Sequence, residues 1–145
     1  MAIAQAMCTS FKVALLDGEM DFSSNTAQSY KIALYTSSAS LDAATTAYTA
    51  SGEVVGTNYV AGGNPLSITT NPTDGGSGTT AYLSFATTTW TTATITARGA
   101  LIYQAGGSTP AVAVLNFGSD KGSSAGDFQI TFPTADATNA IIRIA

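Results

Sequence analysis

Histidine is absent from this 145-residue chain, cysteine occurs once, and charged residues make up only 10% of it. A soluble domain ordinarily carries about 25% charged residues. Each shortage excludes something. Without histidine, the usual base that activates a hydroxyl nucleophile is missing. With Cys8 as the only thiol, a zinc centre is not expected either, and no other cofactor is implied. A single cysteine cannot close an intrachain disulfide, so packing alone must hold the fold, and the chain suits a reducing cytoplasm. Cys8 itself reads as a small buried hydrophobe. The cations Lys12, Lys31, Arg98, Lys121 and Arg143 are scattered, net charge is −4 and the pI is about 4.3. That balance argues against a nucleic-acid partner, which calls for a basic stripe. No apolar run approaches the roughly 18 residues of a membrane span. The first cation is Lys12, so no basic region precedes an apolar one and a signal peptide is not expected.

Ser, Thr, Ala and Gly fill the space that charge leaves. Hydrophobic residues make up 45% of the chain and mean hydropathy is +0.21, enough for a folded core rather than disorder. The length fits a single domain over residues 1–145,. Threonine is β-branched and suits a pleated surface. Its hydroxyl can bond across a subunit joint without the desolvation cost of a charge. A freely diffusing protein relies on surface charge to stay dispersed, so the neutral composition points to a chain covered by other chains.

The periodicity predicts one N-terminal helix over about residues 2–17. Ile3, Met7, Phe11 and Leu15 recur at every fourth position, and Gly18 supplies a stop. This stripe faces either the chain's own sheet or a partner subunit. From Gln28 the pattern turns to strands. Tyr30, Ile32 and Leu34 alternate with Lys31, Ala33 and Tyr35. Further strands are expected at 53–60, 66–70, 81–85, 93–96, 100–104, 111–117, 127–132 and 139–144. A helical turn is expected within 41–50. Gly62-Gly63-Asn64-Pro65 and Gly106-Gly107-Ser108 read as turns, and 71–78 and 118–126 as surface loops. The whole reads as an all-β antiparallel β-sandwich or jelly-roll-like domain with one helix. Trp90, inside a run of threonines, is a core anchor or an interface hot spot.

Motifs that would carry chemistry are incomplete. Gly122-Ser123-Ser124-Ala125-Gly126 matches the nucleophile-elbow pattern. It has no base, and Lys121 in a Gly/Ser loop would stay protonated. Asp17, Glu19 and Asp21 alternate like the start of a calcium loop, but Phe22 stands where glycine is needed and Gln28 where glutamate is needed. Nothing marks Glu19 and Glu53 as a catalytic carboxylate pair. Arg98 and Arg143 read as ion-pair partners at a strand edge or subunit joint. No enzyme is expected.

Four blocks carry a family resemblance: Met1 to Lys12, Tyr30 to Thr36, Ala93 to Tyr103 and Ala113 to Lys121. Together they resemble small virion proteins of tailed bacteriophages, capsid decoration (cement) proteins foremost. The resemblance implies a protein of the capsid surface, made in the host cytoplasm. It implies a homo-oligomer, often a trimer, that braces neighbouring copies of the major capsid protein. A neck, tail or fibre component, with Tyr48, Tyr59, Tyr82 or Trp90 stacking on a carbohydrate receptor, is the alternative. Interface candidates are Ile3, Met7, Phe11, Trp90, Arg98 and Arg143.

Overall fold

The computed structural model describes residues 2–23, 26–76 and 78–145. Its elements are β1 (Ala6–Met7), α1 (Thr9–Asp17), β2 (Ser29–Tyr35), β3 (Asn64–Leu66), β4 (Ile68–Thr73), β5 (Ala81–Phe85), β6 (Thr88–Ala105), β7 (Ala111–Ile130) and β8 (Ile142–Ile144). They form two antiparallel sheets, a five-stranded one in the order β1-β7-β6-β2-β3 and a three-stranded one in the order β4-β5-β8. The fold is all-β and sandwich-like with one short helix, as the strand pattern predicts.

The alternation in β2 sets the layers. Tyr30, Ile32 and Leu34 share one face, and Lys31, Ala33 and Tyr35 the other. Apart from half-buried Lys31, both sets are buried. On the first face an aromatic column ties the layers together. Phe22 stacks on Tyr30 at 4.3 Å and meets Phe11 of α1 edge-on at 5.7 Å and Phe85 of β5 at 6.4 Å. Each such pair adds about 0.5–1.5 kcal/mol beyond the area it hides. On the second face the segment 36–63 lies across the sheet, with Tyr48 stacked on Tyr103 at 4.9 Å.

The helix is shorter than its apolar spacing predicts. Residues 2–8 run extended because backbone partners compete for them. Ala6 and Met7 pair with Val114 and Ala113, Ile3 bridges Leu41, and the Cys8 amide donates to Val112. Gly18 does end the helix, at a left-handed φ of 72°. The amides of Gly18 and Glu19 close the last turn onto Leu15 and Ala14,.

Other expectations change as well. Residues 93–96 and 100–104 belong to one strand, β6, and the expected loop 118–126 is strand, part of β7. Glycine and serine there carry no strand signal, yet β6 supplies the partner. Ser123 lies opposite Ile95 and Gly122 opposite Thr96, and the Ser123 hydroxyl donates to the Ala93 carbonyl at 2.8 Å. A bulge places Phe117 to Asp120 against Arg98 alone,. The segment 53–60 forms only single bridges, Glu53 to Tyr35 and Thr57 to Thr94, and 41–50 has no helix, only a tight turn closed by the Thr45 amide on the Asp42 carbonyl at 3.0 Å between bridges at Leu41 and Ala47. The expected loop 71–78 begins as strand, since β4 runs to Thr73, and Ser77 lies outside the described residues.

Candidate functional site

The most polar interior feature is a carboxylate held by hydroxyls. Glu53 is 9% exposed. Its Oε2 accepts from the Tyr48 hydroxyl at 2.5 Å, and its Oε1 accepts from the Tyr59 hydroxyl and the Gly62 amide, both at 2.7 Å. Around this core, the Leu34 amide donates to the Tyr59 oxygen, the Tyr35 hydroxyl to the Thr49 carbonyl and the Tyr103 hydroxyl to the Gly62 carbonyl. Burial pushes the phenols of Tyr35, Tyr48, Tyr59 and Tyr103 upward, and the nearby Glu53 charge pushes the same way. Each oxygen of the carboxylate is occupied by a donor from the chain itself. Chemically this is a clasp that pins the 36–63 segment onto the large sheet. Sequence reasoning did not single out Glu53: Tyr48 and Tyr59 stand only five and six residues from it, but that spacing fits no helix or strand period, and only the folding back of the segment turns their hydroxyls onto its carboxylate,.

The motif residues take structural places. Ser124 of the elbow-like pattern lies within β7, where no sharp strand-to-helix turn presents it,. Asp21 caps its own loop. The Ser23 amide and hydroxyl hold its carboxyl below the ordinary range. Among the described residues no group of three His, Cys, Asp or Glu side chains could hold a metal ion. Cys8 is fully buried, and burial pushes its thiol up to about 11, so it is an inert core residue.

The interface candidates separate into two groups. Ile3, Phe11 and Trp90 lie in the chain's own core. Trp90 packs between Tyr59 at 6.0 Å and Phe128 at 6.1 Å. Of the two readings open for the helix stripe, its own sheet holds Phe11. Arg98 pairs within the chain, Nε to Asp120 at 2.7 Å, across the β7 bulge. Met7, half-buried against the core, and exposed Arg143 line one groove of about 370 Å³ with Lys12, Leu15, Leu16 and Ile144. Arg143 also reaches the Ala137 carbonyl at 3.3 Å.

The surface itself is short of charge and carries hydroxyls and methyls instead. Thr91, Thr92, Thr94 and Thr96 of β6 are exposed. So, among the described residues, are the large apolar side chains of Val13, Leu16, Val55, Val60 and Ile144. Leu16 is 90% and Val55 95% exposed. Sequence periodicity missed Val13 and Leu16, since they fall outside the stripe that marks the core. Comparison of the chain with protein-family models, curated proteins and solved structures gave no match.

Proposed function

We propose that this chain is a structural protein of a tailed-bacteriophage virion, a capsid decoration protein that braces neighbouring major capsid proteins. One observation carries the reading. Groups that could do chemistry, Glu53, Cys8 and Arg98, are held by the fold, while the skin outside is poor in charge and dotted with exposed apolar side chains. Such a skin suits a protein that works covered. The resemblance of four sequence blocks to small virion proteins points the same way.

The mechanism is stoichiometric. A subunit that binds only the assembled shell stabilises it by mass action, about 2.7 kcal/mol per site at a hundredfold excess over Kd. The accessible surface is 7178 Å². Three neighbours, each covering about 800 Å², would hide roughly a third of it. A neck, tail or fibre role with a glycan receptor is less well supported. It needs an exposed aromatic platform, and Tyr48, Tyr59 and Trp90 pack into the interior cluster, which leaves half-buried Tyr82 of β5 alone among the four candidates.

The test uses phage heads lacking this protein. Added protein is expected to bind in proportion to the capsomers of the shell and to raise the temperature at which heads disrupt. Binding confined to one vertex moves the protein to the neck or tail. Absence of binding to heads removes the decoration role.

A further inference from the structure

Helix α1 has two apolar faces, and the fold covers only one. Phe11 and Ala14 are buried against the sheets. The opposite face carries Lys12, Val13, Leu16 and Asp17, all exposed, with Val13 at 53%. A helix apolar on both sides is ordinarily covered on both sides.

These four residues have the order of a parallel helix seam. Val13 and Leu16 stand three apart, the spacing of the a and d positions of a heptad. A β-branched residue at a with leucine at d favours two strands. Lys12 and Asp17 then flank the seam at g and e. In a parallel pair about a two-fold axis, Lys12 of one copy faces Asp17 of the other, five residues on, twice over. Within the chain neither side chain has a hydrogen bond or ion pair among the described residues. Asp17 also stands in the last turn, where the helix dipole disfavours a negative charge,. A lysine from a second copy relieves both conditions.

We propose that this face of α1 is a self-association surface whose occupant is α1 of a second copy, packed parallel through Val13 and Leu16 and held in register by Lys12–Asp17 pairs. The groove beside it, with Met7 and Ile144, extends the apolar area. The inference deepens the proposed function by naming one joint between copies, and it can fail separately. Heads that bind a chain with no α1 pairing remove only this inference. Pairing without head binding removes only the virion role.

Sedimentation equilibrium over a concentration series is the test. The intact chain is expected to associate, and Leu16→Asp to weaken association by at least tenfold. Lys12→Asp alone and Asp17→Lys alone are each expected to weaken it several-fold. A mixture of the two variants, or the double variant K12D/D17K, is expected to recover it, because each restores opposite charges across the seam. Substituted positions are exposed, and a matching thermal melt verifies that every variant folds. Orientation is read by oxidation. Val13→Cys and Leu16→Cys are each expected to cross-link to themselves, as only a parallel pair allows. An intact chain that stays monomeric, or an oligomer indifferent to Leu16→Asp and to the charge exchange, overturns the inference. Cross-linking found only between Val13→Cys and Leu16→Cys chains overturns it as well.

Discussion

Glu53 carries a charge and yet works as a structural residue, because three donors converge on it. Removing its carboxylate leaves two tyrosine hydroxyls and one amide without their acceptor, each costing about 1–3 kcal/mol when buried. Glu53→Ala is therefore expected to lower unfolding free energy by about 3 kcal/mol or more in urea titration. Glu19→Ala, at an exposed site, is expected to change it by less than about 0.5 kcal/mol. Equal effects would mean that the clasp contributes nothing. Gly63 is constrained by backbone rather than by charge. Its φ is 75°, and a Cβ there would lie 1.8 Å from the Ile32 carbonyl oxygen. Left-handed geometry alone costs a residue with a Cβ about 1–2 kcal/mol, and the collision adds to that. Gly63→Ala is expected to cost more than about 2 kcal/mol by the same titration; a neutral result would show that the turn can move aside. The Gly62-Gly63 turn was legible in the sequence. The clasp it helps to build was not, since Tyr48, Glu53 and Tyr59 meet only once the segment is folded back.

At the scale of elements, β6 and β7 make the longest feature of the fold, and β7 is where sequence pattern and structure differ most. Residues 118–126 look like a loop because glycine and serine give no alternation. They become strand because β6 presents a row of backbone partners and because the Thr94 hydroxyl accepts from the Ala125 amide at 2.9 Å. Hydrogen exchange distinguishes the two descriptions. Amides that face β6 within 121–126 are expected to exchange slowly, at rates comparable to 111–115, while those of the bulge at 118–120 exchange fast. Uniformly fast exchange across 118–126 would restore the loop. The helix shows the converse. Its apolar spacing is genuine from Ile3 onward, but β7 and Leu41 draw residues 3–7 into extended pairing.

For the molecule as a whole, the buried tyrosines set an alkaline limit. Burial raises Tyr30, Tyr35, Tyr48 and Tyr59 above the ordinary phenol value. A phenol raised in the folded state binds its proton more tightly there than in the unfolded chain. Its contribution is fully present below the unfolded value of about 10 and is lost progressively as pH rises above it. Urea midpoints are therefore expected to fall above about pH 10. Absorbance of ionised tyrosine is expected to rise together with loss of structure rather than before it. Phenols that ionise freely near their ordinary value in a chain that stays folded would contradict the packing described here. Acid weakens the chain through other groups. Asp136, which Asn139 and the Thr138 amide hold below the ordinary range, loses its contribution as pH falls through that lowered value.

Composition and alternation were sufficient to establish an all-β chain with one helix ending at Gly18, a core free of disulfides, and a surface poor in charge. These are local properties, carried by residue type and by spacings of two and four. Tertiary structure alone decided which partners the ambiguous segments took. It turned a glycine-serine stretch into strand and the first helical residues into an edge. It assembled a carboxylate clasp from three separate positions and left Val13 and Leu16 uncovered. The strand pairings join residues far apart in the chain, and the clasp forms only when one irregular segment folds back over the sheet; no local pattern encodes either.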